Sequence, residues 1–157
     1  LMQVGVPQVA AHMFIFYYAV LSEVSPPTAL SPFAAAALTG GNPFRTMMLT
    51  WKYTLPAFLV PFIFTLSREG LGILLQAPPA DVAITTLTAA AGIVGLAVAL
   101  GGWLWRAANL VERALALAGG LLLFYANRTT DLVGLALLGV CVVVHVIRVR
   151  TGAASRA

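Results

Sequence analysis

The chain has 157 residues, of which 61% are hydrophobic and only 9% are charged, and its mean hydropathy is +0.95. Because a soluble domain carries about 25% charged residues, this composition predicts an integral membrane protein. The net charge of +4 comes from scattered basic residues in short loops, which argues against a nucleic-acid-binding surface. The single cysteine, Cys141, lies in an apolar run, so no disulfide framework or thiolate metal site is expected.

The first apolar segment runs from about Val9 to Val24 and is apolar around almost its whole circumference. This pattern is typical of a membrane helix, but the segment is short for a complete span, which needs about 20 residues. His12 lies near its start and is interpreted as an interfacial or capping residue, with a role in a proton relay as the alternative. The residues before it show no signal-peptide layout, so we expect the chain to be the C-terminal part of a longer polypeptide.

A polar, proline-rich stretch, Ser22 to Pro32, separates this segment from the next one. Proline has no backbone N–H and moves the preceding residue out of the helical region, so Pro26 and Pro27 predict that the helix stops here. In hydrocarbon, unwound backbone is tolerated only where it is buried in protein or lines a polar cavity. A helix break of this kind indicates the ion or substrate site of a transporter.

The pattern by itself leaves three interpretations of the break open. Its carbonyl and hydroxyl oxygens can replace the hydration shell of a hard cation. The start of the following helix can instead face an anionic substrate group. The segment can also be a kinked helix whose serines satisfy the freed backbone groups. The Glu23 carboxylate either lies near the transport path or pairs with an arginine or backbone amides elsewhere. The candidate sodium- or substrate-binding residues are Ser22, Ser25, Pro26, Pro27 and Thr28.

The rest of the chain is also predicted to be helical, so the fold class is an all-α integral membrane protein. One broken, discontinuous helix is followed by about four transmembrane or hairpin helices. Four glycines, Gly92, Gly95, Gly101 and Gly102, are expected to allow close helix packing. After the break, the predicted helical segments are Ala29 to Leu38, about 47 to 67 with Pro56 and Pro61 inside, Val82 to Trp105, Ala114 to Ala126, and Leu132 to Ile147, the last two forming a hairpin turned at Asn127 to Asp131.

Several short motifs in the first part of the chain resemble the end of the large membrane subunit of the tripartite ATP-independent periplasmic (TRAP) transporters. The closest likeness is to the fused permeases that work with TAXI-type solute-binding proteins. Ser25 to Ala29 matches a family signature that usually reads Thr-Pro-Pro-Val-Gly. Serine at position 25 keeps the hydroxyl, whereas Ala29 adds a methyl group where the backbone could approach closely. The motifs are His12 to Tyr18, Ser25 to Ala29, Thr39 to Arg45, Trp51 to Tyr53, and Leu55 to Phe58.

This resemblance covers residues 1 to about 66 and implies a sodium-driven secondary transporter with an elevator-like transport domain. It implies that Ser25, Pro26, Pro27 and Thr28 belong to a loop of the second of two inverted repeats, similar to the sodium-site loops of the family. The substrate implied is an organic anion, such as a dicarboxylate or an acidic amino acid. The partners implied are a periplasmic solute-binding protein, the rest of the permease polypeptide and the lipid bilayer.

Three regions follow from this interpretation. Residues 1–45 form the broken-helix part of the transport domain, residues 46–67 form the helix that ends the permease core, and residues 68–157 form an extension with about three membrane helices. No cofactor is expected beyond sodium as the coupling ion, and no other metal. The sequence shows no phosphate-binding loop, nucleophile elbow or metal-ligand cluster, so we predict no enzyme. The alternative function is a membrane scaffold or assembly subunit, in which the prolines form only a kink.

The basic residues predict an orientation. With spans at about 47–67, 82–105, 110–126 and 131–147, only Arg68 and Arg128 of the nine basic residues fall on one side. Because positive residues are enriched in cytoplasmic loops, a cytoplasmic C-terminus in a bacterial inner membrane is expected. The residues on the other side are Arg45, Lys52, Arg106, Arg113, Arg148, Arg150 and Arg156.

Overall fold

The structure, a computed structural model, describes residues 1–154, with the side chains of all of these except Val4 and 152–154. Over this range the chain is helical and contains no strand, apart from an isolated bridge between Trp103 and Ala107. These observations confirm the predicted all-α fold. The α-helices of the described part are α1 (Gln8–Leu21), α2 (Leu30–Thr39), α3 (Pro43–Leu66), α4 (Pro79–Gly101), α5 (Leu110–Phe124) and α6 (Arg128–Ala154), with 3-10 turns at Met2–Val4, Ser22–Val24 and Glu69–Leu74.

The helix break lies where the prolines predict it. Helix α1 ends at Leu21 and continues as a short 3-10 turn, after which Ser25 has extended backbone and the Pro26–Pro27 bond is cis. Ala29 then adopts a left-handed conformation with φ 46°, and α2 begins at the next residue. The helix is therefore interrupted completely, which is more than a kink within one continuous helix.

Helix α3 begins at Pro43, earlier than the expected start near residue 47. Proline suits the first turn of a helix, where its missing N–H leaves no hydrogen bond unmade. The preceding Asn42 caps the helix, because its side chain accepts a hydrogen bond from the Arg45 N–H at 2.9 Å. Both internal prolines, Pro56 and Pro61, are accommodated within α3 as predicted.

Aromatic side chains hold α1 against α3. The Phe14 and Phe62 rings meet edge to face with centroids 5.6 Å apart, a favourable aromatic geometry. The Tyr18 hydroxyl donates a hydrogen bond to the Phe58 carbonyl oxygen at 2.6 Å. This bond lies beside the carbonyl of Ala57, which Pro61 leaves without its helical donor. These contacts fix the helix that leads into the break.

Helices α4, α5 and α6 pack as an antiparallel group with α5 between the other two. A Cβ built at Gly120 of α5 would lie 3.0 Å from the Gly92 carbonyl oxygen of α4, and one at Gly119 would lie 2.9 Å from the Gly134 carbonyl oxygen of α6. Glycine is required at these crossings because the backbones touch. Close packing through Gly92 is thus confirmed, whereas Gly101 has nothing near it.

The bounds of the last three helices differ from those expected. Helix α4 ends at Gly101, so Trp103 and Trp105 lie in a loop and not in the helix. Helix α6 begins at Arg128 because the Asn127 side chain accepts a hydrogen bond from the Thr129 N–H at 3.0 Å, which draws the polar residues of the expected turn into the helix.

Three helices of the described part are long and apolar enough to cross a membrane: α3, α4 and residues Arg128–Thr151 of α6. Helix α5 has 15 residues, short of the about 20 that a complete span needs. The predicted hairpin of α5 and α6 is confirmed, but its second helix, α6, is long, whereas both helices of the hairpin were expected to be short.

Candidate functional site

The break between α1 and α2 is closed by hydrogen bonds of its own backbone. The two prolines have no N–H, so the carbonyl groups of Ser22 and Glu23 lack their helical donors. The Ala29 N–H lies 3.4 Å from the Ser22 carbonyl oxygen and 3.0 Å from that of Ser25, and donates to both. Residues 22–29 thus form a compact loop, which we call the break loop.

Ala29 is buried at the end of this loop. Its side chain is 0% exposed and its φ of 46° lies in the left-handed region, which L residues other than glycine rarely adopt. This conformation gives a physical reason to expect that glycine would be favoured at this position. Alanine keeps the same backbone shape at a cost in strain, and its methyl group is buried.

Two serine hydroxyls cover carbonyl oxygens at the end of α1. The Ser22 hydroxyl donates to the Ala19 carbonyl oxygen at 2.7 Å, and the Ser25 hydroxyl donates to that of Leu21 at 3.1 Å. Both serines therefore satisfy backbone groups at the helix end, as the third interpretation of the break expected. Each hydroxyl oxygen retains lone pairs, so it can still coordinate a cation in the same geometry.

The other predicted site residues lie at the surface of the loop. Pro26, Pro27 and Thr28 are exposed. The Thr28 carbonyl has no helical donor, because the residue four positions on is Pro32. The structure thus brings hydroxyl and carbonyl oxygens of residues 22–28 into one loop, and oxygen donors of this kind suit hard cations.

Glu23 and His12 do not join this group through any described contact. Glu23 is exposed, and both ion pairs within residues 1–154 are made by a different acid, Glu112. The expected pairing of Glu23 with an arginine is therefore not found in the described part of the chain. His12 is also exposed, on the first turns of α1.

A second polar group, which the sequence analysis did not identify, lies between α5 and α6. Glu112 is 0% exposed and accepts hydrogen bonds from the Asn109 N–H at 3.0 Å and from His145 Nδ1 at 2.9 Å. Arg148 also donates to this carboxylate, through Nε to Oε1 at 2.7 Å and through Nη2 to Oε2 at 2.9 Å. We call Glu112, His145 and Arg148 the Glu112 cluster.

Hydrogen bonds from Arg148 hold the pKa of the Glu112 carboxyl at about 2, against the opposing effect of burial. The Arg106 N–H lies 3.4 Å from His145 Nε2, so this nitrogen accepts and Nδ1 donates to the carboxylate. The sequence carried two signals for this cluster. Asn109 and Glu112 have the spacing of a capping box, and His145 and Arg148 share one face of a helix.

The fold defines a multi-pass, all-α membrane protein with one helix broken by a polar loop. Residues 1–69 match the family model of the tripartite ATP-independent periplasmic transporter, DctM component. The match supports the TRAP permease family, a transporter family and not an enzyme family, for the part that contains the break loop and α3. It ends before α4 and covers less than half of the chain. Comparisons with curated proteins and with solved structures gave no match.

Proposed function

We propose that this chain is the C-terminal portion of a TRAP permease that imports an organic anion, such as a dicarboxylate or an acidic amino acid, together with sodium. The observation that carries the proposal is the location of the break loop inside the part that matches the DctM component. A broken membrane helix with oxygen donors at the break is the common form of a coupling-ion site in secondary transporters. Residues 1–45 then belong to the transport domain, 46–67 end the permease core, and 68–157 are an extension.

In this proposal, sodium is bound by oxygens of the break loop. Ser25 and Thr28 contribute hydroxyls, and the carbonyls left without helical donors by the prolines contribute the rest. Oxygen ligands of this kind replace part of the water around the cation. The remaining ligands come from the first inverted repeat of the same permease polypeptide, and a periplasmic solute-binding protein of the TAXI type delivers the anion.

The distribution of arginines supports a cytoplasmic C-terminus in the inner membrane. Arg68 and Arg128 line one cleft at one end of the α4–α6 group. Arg106, Arg113 and Arg148 lie at the opposite end, where the α4–α5 loop contacts α6. Arg156, which was counted with this second group, lies outside the described residues. The larger positive group marks the cytoplasmic side.

The experiment is sodium-dependent uptake by the complete permease in proteoliposomes with its binding protein. We expect Ser25→Ala and Thr28→Ala each to raise the sodium concentration for half-maximal uptake about 10-fold. This figure corresponds to the loss of one interaction with a charged group, about 1.5 kcal/mol. Thr50→Ala is the matched control, because the Thr50 hydroxyl also donates to a carbonyl four residues back, at 2.9 Å, but lies in α3.

Unchanged sodium activation in both loop variants, with normal amounts of folded protein, contradicts the assignment of the sodium site. A second readout separates transport from a scaffold role. In Ser25→Cys, sodium is expected to slow labelling of the new thiol, since the bound ion covers the loop. Labelling that does not respond to sodium favours the scaffold alternative.

A further inference from the structure

An apolar groove of about 580 Å³ lies between α4 and α6. Both helices pack on α5 and leave a channel between them, with Ala116 of α5 at its floor. Gly139 of α6 opens the groove, because a Cβ built there meets nothing within 4 Å. The principal wall residues are Val94 and Val98 of α4, and Leu135, Leu138 and Val142 of α6.

The lengths and composition of its walls predict that the groove lies at the depth of the membrane hydrocarbon. Both of its walls belong to helices long and apolar enough to span, α4 and α6. Val94, Leu135 and Val142 are exposed on these walls. A surface of this kind in a bilayer is covered by lipid tails or by another helix. The surroundings of the groove decide between these two occupants.

One end of the groove is positively charged. Arg113 lies one helical turn before Ala116, and its Nε donates to the Ala99 carbonyl oxygen at 2.7 Å. The Arg113 guanidinium thus donates to a neutral backbone carbonyl through Nε, and its other N–H groups can donate to a further acceptor. Arg106 is exposed and follows Leu104, which lines the groove.

No acid neutralises this charge within residues 1–154. The nearby carboxylate, Glu112, is engaged by His145 and Arg148, and these are its ion pairs in the described part. Trp103 and Trp105 lie in the same loop as Arg106 and are 62% and 64% exposed. Exposed tryptophans of this kind mark the level of the lipid headgroups. The groove therefore runs from the hydrocarbon to a basic patch at the interface.

We propose that this groove binds an anionic phospholipid, with an acyl chain between α4 and α6 and the phosphate group beside Arg106 and Arg113. Basic pockets between membrane helices bind the headgroups of such lipids. A helix of a partner protein would fill the groove equally well, but it gives no reason for unpaired arginines at the mouth. The proposal stands independently of the transport function, since α4–α6 lie outside the part that matches the DctM component.

The test is native mass spectrometry of the delipidated, full chain in detergent, titrated with phosphatidylglycerol and, separately, with phosphatidylcholine. We expect one phosphatidylglycerol to bind more tightly than phosphatidylcholine. Arg106→Gln with Arg113→Gln is expected to weaken phosphatidylglycerol binding about 25-fold, about 5-fold for each charge. Arg68→Gln with Arg128→Gln removes the same charge at the opposite end and is expected to leave binding unchanged.

A second pair of variants tests the acyl-chain part of the groove. Gly139→Leu places a side chain in the groove from a position where a Cβ meets nothing within 4 Å, and is expected to lower binding of phosphatidylglycerol at least 10-fold, whereas Ala118→Leu on an exposed part of α5 has no effect. Equal affinity for the two lipids, or equal losses from the arginine pairs at both ends, overturns the proposal. A Gly139→Leu variant that changes the oligomeric mass and not lipid binding shows that a helix of a second copy occupies the groove, and also overturns it.

Discussion

Replacement of Glu112 by alanine is expected to open the hairpin of α5 and α6. The Glu112 side chain is fully buried and is the common acceptor for three groups from two segments: the Asn109 N–H at the start of α5, and His145 and Arg148 of α6. Alanine removes all of these hydrogen bonds at once. In the tautomer in which His145 Nε2 accepts from the Arg106 N–H, the three groups that remain all present hydrogens, so none of them supplies an acceptor for another.

The cost follows from the burial of each group. Loss of a reciprocal helix cap costs about 1 kcal/mol. His145 is 0% exposed, so leaving its N–H without an acceptor costs about 1–3 kcal/mol. Arg148 is 41% exposed and turns to water, so its contribution is well below the 3–5 kcal/mol of a fully buried pair. Together these terms give a loss of about 3 kcal/mol, which corresponds to about a 100-fold larger open population.

Cys141 provides the assay. It is the single cysteine of the chain and is buried, with Sγ 3.2 Å from the Glu112 carbonyl oxygen. Cys141 lines the groove between α4 and α6 but is only 3% exposed, so a bulky, charged thiol reagent in detergent reaches it after local opening of the hairpin, and the rate of alkylation follows the open population. We expect Glu112→Ala to raise this rate about 100-fold and Glu112→Gln, which keeps one acceptor oxygen, to raise it less. Glu69→Ala removes an exposed carboxylate and serves as the control.

The contributions of Glu112 and Arg148 to the stability of the hairpin are expected to be coupled. In Glu112→Ala, the additional change Arg148→Ala is expected to cost less than it does alone, by about 1–2 kcal/mol. Alkylation of Cys141 in Glu112→Ala at the rate of the unchanged chain refutes the argument. Strictly additive effects of the two substitutions would show that the hydrogen bonds between them contribute nothing to the stability of the hairpin.

The remaining predictions concern pH and backbone geometry. Because the pKa of Glu112 falls from 4.5 to about 2 on folding, its stabilising effect is present above pH 4.5 and is lost as the pH falls towards 2. The thermal midpoint of the unchanged chain should therefore drop more over this pH range than that of Glu112→Gln. Equal drops in the two thermal midpoints contradict this prediction. Gly70→Ala places a Cβ against the Ile63 carbonyl oxygen and is expected to cost about 2–3 kcal/mol in denaturant unfolding, whereas Gly101→Ala, with nothing within 4 Å, stays within about 1 kcal/mol of the unchanged chain. Ala29→Val adds a branched side chain to a buried, left-handed position and should lower the free energy of unfolding by about 2–3 kcal/mol. Ala29→Gly loses a buried methyl group but relieves backbone strain, so its free energy of unfolding should stay within about 1 kcal/mol of the unchanged chain. Equal stability of these two variants excludes backbone strain at position 29.

Local chemistry in the sequence was sufficient to predict the helix break and the membrane class. Two adjacent prolines, Pro26 and Pro27, remove two successive N–H donors and predict that α1 stops before them, whereas the isolated Pro56 and Pro61 are accommodated within α3. The low fraction of charged residues likewise reports burial in lipid without reference to partners. The sodium site remains a prediction: the structure gathers hydroxyl and carbonyl oxygens in the break loop, and the proposed uptake experiment tests whether they bind an ion.

Helix ends were less predictable because they depend on single capping contacts. Polar residues 128–131 read as a turn, yet one hydrogen bond to Asn127 makes them the first turn of α6. Trp103 and Trp105 read as the end of a span, but Gly102 with φ 71° ends α4 before them. In both places the hydropathy pattern is continuous across the boundary, so it does not locate the end of the helix.

The amino-acid sequence alone thus determined the membrane class, the helix break and its oxygen-bearing residues, since each depends on the composition of a segment or on the covalent structure of proline. Only the tertiary structure decided which distant residues meet. Glu112 and Arg148 are separated by 36 positions, and the groove between α4 and α6 exists only because both helices pack on α5. Contacts of this kind depend on how helices cross, and helix crossing is set by glycines such as Gly119 and Gly120 at which two backbones touch.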